Sequence, residues 1–138
     1  MKISAHVHNR EGEHQVSVST DGQARSVVLP AKTDGPGSGV NGGELLFLAL
    51  ATCYCNDVYR EAAARGIKVT QVEVEVEGEF GTPGAAARNI RYRARVTAKA
   101  SQAEIRALMA HTDRVAEIQN TLRTGTPVTL SVIEAVCA

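Results

Sequence analysis

Tryptophan is absent from this 138-residue chain, and only two phenylalanines and three tyrosines are present. With so few rings it lacks the stacking platforms on which single-stranded nucleic acids or sugars are held. It also lacks an excess of charge. Fifteen basic residues balance fifteen acidic ones, so no electrostatic footprint points to a nucleic acid or an anionic membrane as partner. No apolar run approaches the roughly 20 residues needed to cross a bilayer. The opening Met1-Lys2-Ile3-Ser4-Ala5-His6 turns polar too soon for a signal peptide. Cysteine is scarce and odd in number, with Cys53, Cys55 and Cys137. A secreted disulfide framework favours an even set, so the expected compartment is the reducing cytoplasm. Metal-ligand spacing is missing too. Cys53-x-Cys55 lacks the two-residue gap of zinc knuckles, and His6, His8 and His14 lie in hairpin sequence typical of a surface. No metal or cofactor is expected.

What is present fits one α+β domain over residues 1–138. Gln15–Ser19 and Arg25–Leu29 alternate with strand period, and Asp21-Gly22 between them is a hairpin signal. An earlier strand, Ile3–His8, joins them through Asn9-Arg10-Glu11-Gly12. The run Asp34-Gly35-Pro36-Gly37-Ser38-Gly39 reads as a loop. Further on, Val72, Val74 and Val76 alternate with Glu73, Glu75 and Glu77, and Ile90–Val96 alternates with its arginines outward. With Thr82-Pro83-Gly84 between them, these strands form a hairpin whose acidic and basic faces meet. Ser101-Gln102-Ala103-Glu104 is a capping box opening a helix to about His111, whose side chain suits the negative end of the helix dipole. A second short helix is expected over Asp113–Arg123, and a closing strand over Pro127–Ile133.

The most informative segment is Leu45–Asp57, an apolar run that carries Cys53 and Cys55. Asn41 as N-cap and Glu44 three residues later open a helix that runs to Arg65, with Gly66 following as its C′ residue. At 1.5 Å per residue it is roughly 33 Å long. Its first half is apolar on nearly every face and is expected inside the molecule; the second half is amphipathic and is expected to emerge.

The stretch Gly37-Ser38-Gly39-Val40-Asn41-Gly42-Gly43-Glu44-Leu45-Leu46-Phe47-Leu48-Ala49-Leu50-Ala51-Thr52-Cys53 resembles the core signature of the OsmC and organic hydroperoxide resistance (Ohr) superfamily. Arg65-Gly66-Ile67, the Val72–Val76 strand and Asn120–Val128 fit the same pattern in order. The resemblance implies an OsmC-like fold, antiparallel sheets packed around a long central helix, and an intertwined homodimer with active sites at the subunit interface. It also implies a chemistry. A helix cysteine, here Cys53, attacks a hydroperoxide and becomes a sulfenic acid, which a second cysteine resolves. Two positions depart from the pattern: the resolving thiol is replaced by Ala116, and the acidic residue ten positions before the cysteine is Gly43, leaving Glu44 as the nearer match.

A peroxidatic cysteine acts as its thiolate, and burial alone disfavours that charge. An arginine from another segment is the usual remedy. Arg10 matches the early arginine of the family pattern, and Arg25 is a second candidate. Arg60 lies on the same helix about 10 Å further along the axis and is expected to pair with Asp57 or Glu61. Asp57, at i+4 from Cys53, raises the thiol pKa unless an arginine bridges the two. Glu44 either caps its helix or positions an arginine. Cys55 points about 200° away from Cys53 and reads as a small buried hydrophobe; Cys137, on the C-terminal tail, is a conceivable resolving thiol.

The expected function is therefore thiol-dependent reduction of organic hydroperoxides in oxidative stress defence. Cys53, Arg10 and Glu44 form the site, and an external thiol resolves the sulfenate. Leu46, Phe47, Leu50 and Tyr54 would offer an apolar pocket. The alternative is a non-catalytic small-ligand-binding or redox-sensing protein on the same fold.

Overall fold

In the computed structural model, which describes residues 1–138, Asp21 and Gly22 both take positive φ (48° and 81°). That is the backbone of a type I′ hairpin turn, as the Asp-Gly pair foretells. The turn joins β2 (Glu13–Thr20) to β3 (Gln23–Ser26), and β1 (Ile3–Arg10) completes a three-stranded antiparallel meander in the order β1-β2-β3. Val7 lies opposite Val16 and Ala5 opposite Val18. The third strand ends three residues earlier than its alternation suggests, because Pro30 approaches and carries no N–H for the ladder. The glycine-rich loop folds back on itself through Lys32 N–H to Gly37 O (3.0 Å) and Gly39 N–H to Pro30 O (2.7 Å). A Cβ on Gly39 would stand 3.1 Å from the carbonyl oxygens of both Pro30 and Ala31, so that close approach requires glycine.

The chain divides into two compact units, Met1–Phe47 and Leu48–Ala138, and α1 (Gly42–Ala64) runs from the first into the second. The capping box at its start is present: Glu44 N–H donates to Asn41 Oδ1 (2.8 Å) and Asn41 N–H to Glu44 Oε1 (3.1 Å). Its burial is narrower than expected, while the second half emerges as expected, with Tyr59, Arg60, Ala63 and Ala64 exposed. The buried residues are Leu50, Tyr54, Asp57, Val58 and Ala62, whereas Leu48 in the apolar half stays 58% exposed. A helix apolar all round cannot be covered by one sheet face, so burial is confined to a single stripe that starts in the apolar half and ends at Ala62.

In the second unit, β4 (Lys68–Glu79) and β5 (Arg88–Lys99) form a two-stranded antiparallel sheet. The acidic and basic faces meet as expected: Glu73 opposes Arg95, Glu75 opposes Arg93 and Glu77 opposes Arg91. Ion pairs link Glu75 to Arg93, Glu77 to Arg91 (3.0 Å) and Glu79 to Arg88 (3.2 Å). All are exposed, so the ladder contributes little stability. The other face does more. Val72, Val74, Tyr92, Ala94 and Val96 pack against a core of Tyr54, Val58, Ala62 and Leu108. Tyr54 and Tyr92 meet edge to face at 5.0 Å.

Helix α2 (Gln102–Val115) opens on the expected capping box of Ser101 and Glu104 but runs past His111, and α3 is only Glu117–Arg123. The break falls at Ala116, in extended conformation (φ −69°, ψ 109°). Side chains from α3 set it there: Asn120 Nδ2 donates to Arg114 O (2.9 Å) and Arg123 Nη1 to Asp113 O (3.0 Å), satisfying the last carbonyls of α2. His111 is thus inside the helix, not at its end. The closing strand expected at Pro127–Ile133 is not formed; residues 124–138 contain neither helix nor strand. Val128, Leu130, Val132 and Ile133 are exposed there, and a strand alone has no ladder to join. No helix is long and apolar enough to cross a membrane.

Leu108→Ala is expected to cost about 2–5 kcal/mol in denaturant unfolding, since this wholly buried side chain would leave a cavity between helix and sheet. Asp113 accepts hydrogen bonds from the Tyr92 hydroxyl and from Arg123 (2.7 Å). Burial pushes its carboxyl up, but these bonds outweigh burial and hold it below the ordinary value. A lowered folded-state pKa stabilises above the unfolded pKa and is lost on acidification. Asp113→Asn is therefore expected to cost about 1 kcal/mol at neutral pH, discounted for partial exposure. The gap between variant and wild type should close as pH falls below about 3.9, read by unfolding at several pH values.

Candidate active site around Cys53

The α1 residues Cys53 and Asp57 each precede a core residue, Tyr54 and Val58, by one position, so both lie on the flank of the buried stripe. They face the start of α3. Gln119, itself buried, pins that contact by donating from Nε2 to Leu50 O (3.0 Å). The half-buried Cys53 thiol donates to Asp57 Oδ2 (3.5 Å) and stands 3.8 Å from Glu117 Oε2. The Ile118 backbone N–H also reaches the sulfur.

Arg60 closes the arrangement. Its Nη1 lies 3.0 Å from Asp57 Oδ1 and 3.0 Å from Glu117 Oε1, and its Nε lies 3.1 Å from Glu61 Oε1. Glu61 in turn meets His111 Nε2 (3.1 Å) and Arg65 (3.6 Å). The expected pairing of Arg60 with Asp57 and Glu61 is therefore found. The guanidinium touches the outer oxygens of both carboxylates while their other oxygens face the thiol.

Burial raises the Cys53 pKa, and the Asp57 and Glu117 charges raise it further; the Ile118 N–H opposes them. Burial likewise raises Asp57, reinforced by its hydrogen bond with Glu117. Glu117 is held below the ordinary glutamate value by its own backbone N–H and by Asp57 and Arg60. One sulfur and two carboxylate oxygens within 4.8 Å of one another form a donor set a cation could meet. Arg60 already supplies the positive charge to both carboxylates, and no metal role is assigned.

The other residues singled out from sequence lie elsewhere. Arg10 ends β1 and pairs with Glu13 across its own turn (3.8 Å). Glu44 is engaged in the α1 capping box. Cys55 is half-buried, and Cys137 is exposed on the tail. Glu117 was not singled out, because a helix drawn over Asp113–Arg123 places it mid-helix and hides the break at Ala116. The signal available was its place next to Ala116, where the family pattern sets its second thiol.

Residues 35–131 match the family described as OsmC-like protein. Among solved structures, an OsmC-like protein from Mycoplasma pneumoniae is 19% identical with a TM-score of 0.61, covering 88% of this chain and 86% of its own. An OsmC-like protein of unknown function from Vibrio cholerae is 16% identical with a TM-score of 0.63, covering 88% and 93%. An organic hydroperoxide resistance protein OsmC from Legionella pneumophila is 21% identical with a TM-score of 0.57, covering 89% and 90%. No curated protein matches the chain. At these identities the structures speak for the shared fold, and the family match spans most of the sequence: this chain belongs to the OsmC-like family.

Proposed function

We propose that this protein is a thiol-dependent peroxidase that reduces organic hydroperoxides through Cys53, working as a homodimer in the cytoplasm. One observation carries the reading. The Cys53 thiol is not packed as an apolar filler but points into a polar niche made by Asp57, Glu117, Arg60 and the Ile118 N–H. In outline, the thiol sulfur attacks the terminal peroxide oxygen, the O–O bond breaks, and Cys53 becomes a sulfenic acid while an alcohol leaves.

Resolution falls to an external thiol. Ala116, buried beside the cysteine niche, has no sulfur to offer, and Cys55 shares the helix with Cys53 on a different face. The dimer is supported by the apolar surface one chain leaves open: Ile3 and Val7 on β1, Leu48 on α1, and Val128, Leu130 and Val132 on the tail. Arg10 is the arginine proposed to approach Cys53 in that assembly, with Glu44 positioning it. The raised thiol pKa favours the second reading, a ligand-binding or redox-sensing protein in which Cys53 stays reduced.

Two measurements separate these readings. Wild type is expected to consume cumene hydroperoxide with dihydrolipoamide or dithiothreitol as reductant, and Cys53→Ser to lose that turnover entirely. A folded wild type inert with both reductants would transfer the weight to binding or sensing. In sedimentation velocity the protein is expected to run as a dimer, and Leu48→Glu, at an exposed apolar position of α1, to shift it towards monomer.

A further inference from the structure

Access to the Cys53 sulfur is one-sided. The Asp57 side chain is only 7% exposed, whereas those of Glu117 and Arg60 stand 62% and 49% exposed. A molecule reaching the sulfur from solvent therefore passes Glu117 and Arg60. The side-chain partners of Sγ are both carboxylate oxygens, Asp57 Oδ2 at 3.5 Å and Glu117 Oε2 at 3.8 Å. Arg60 faces the carboxylates instead: Nη1 lies 3.0 Å from Asp57 Oδ1 and 3.0 Å from Glu117 Oε1, and Nε lies 3.1 Å from Glu61 Oε1. Glu61 is shared in turn with Arg65 (3.6 Å) and with His111 of α2 (3.1 Å). Three carboxylates thus share two guanidiniums, and the oxygens left over face the thiol.

We infer that Glu117 is a charge-selecting residue for Cys53, favouring neutral hydroperoxides over those that carry a carboxylate. The inference rests on the peroxidase reading and narrows its substrate class. In that reaction the S–O bond forms, the O–O bond breaks and the thiol proton ends on the departing alcohol; sulfur loses two electrons and the peroxide gains them. An exposed glutamate paired with an arginine is ionised at neutral pH, and Glu117 holds its second oxygen beside the reacting sulfur. A substrate carboxylate arriving with the hydroperoxide group finds the guanidinium at the opening already engaged by three acids. At a separation of about 7 Å between the two charges, their repulsion near a protein surface slows the anionic substrate roughly 3- to 30-fold. A neutral alkyl hydroperoxide meets no such cost.

Cumene hydroperoxide and its para-carboxylate derivative make a matched pair of probes. Single-turnover oxidation of Cys53 by each is followed by trapping the sulfenic acid with dimedone and assigning it by fragment-resolved mass spectrometry. Each rate is divided by that of the same peroxide with free cysteine, which removes intrinsic reactivity. In wild type at low salt the carboxylate is expected to react roughly 3- to 30-fold more slowly than the neutral probe. The gap should close as sodium chloride is raised to about 0.5 M and the charges are screened. Glu117→Gln, a neutral change at an exposed position, should close most of it at low salt. The ratio does not respond to a shifted thiol pKa, because both probes meet the same thiol. No gap, a faster carboxylate, or a gap unchanged by salt or by Glu117→Gln would overturn the selection and leave the peroxidase reading standing. A wild type that neither probe oxidises would overturn both.

Discussion

Every feature of the Leu48–Ala138 unit depends on the seam that Leu50, Tyr54, Val58 and Ala62 make along α1. Spaced four apart, they form one buried stripe, and the sheet of β4 and β5 offers an apolar face that packs against Tyr54, Val58 and Ala62. Once the stripe is seated, the heading of every other α1 side chain is determined. Cys53 and Asp57 sit one residue before Tyr54 and Val58, so they are turned to the flank of the stripe, Cys53 half-buried and Asp57 buried. The site is a by-product of core registration, and the Cys53 thiol gains a rigid mount in this way.

The second constraint is the break at Ala116. A continuous helix from Gln102 to Arg123 would carry Glu117 away around its axis. The extended Ala116 instead starts a new helix whose first residues meet α1, and Gln119 fastens it to the Leu50 carbonyl. The position from which the family pattern delivers a second thiol thus delivers a carboxylate from the adjacent residue.

Electrostatically, the niche runs against the simplest picture of a peroxidatic cysteine. Burial and two acids hold the thiol neutral, and the one arginine present serves the acids rather than the sulfur. Arg60 lets two carboxylates coexist half a nanometre or less apart in a partly buried place, where without a counter-charge their mutual repulsion would be costly. The outcome is a thiol whose pKa is raised by burial and by the two acids beside it.

Much of this was legible in the residues themselves. The Asp21-Gly22 turn, the capping boxes at Asn41 and Ser101, and the valine–glutamate alternation that pairs with the arginines of β5 are local signals, set by backbone chemistry within a few positions. The ordered pattern from Gly37 to Val132 carried the family, and Cys53 with it. What the sequence left open depends on contacts between distant segments. Where α2 stops is decided by α3 side chains capping its last carbonyls. Which stripe of α1 is buried is decided by the single sheet face available to it. Whether Pro127–Ile133 becomes a strand is decided by whether an edge exists for it to join. Glu117 at Cys53 belongs to this second kind, because 64 residues separate the two in sequence and only the folded core brings them together.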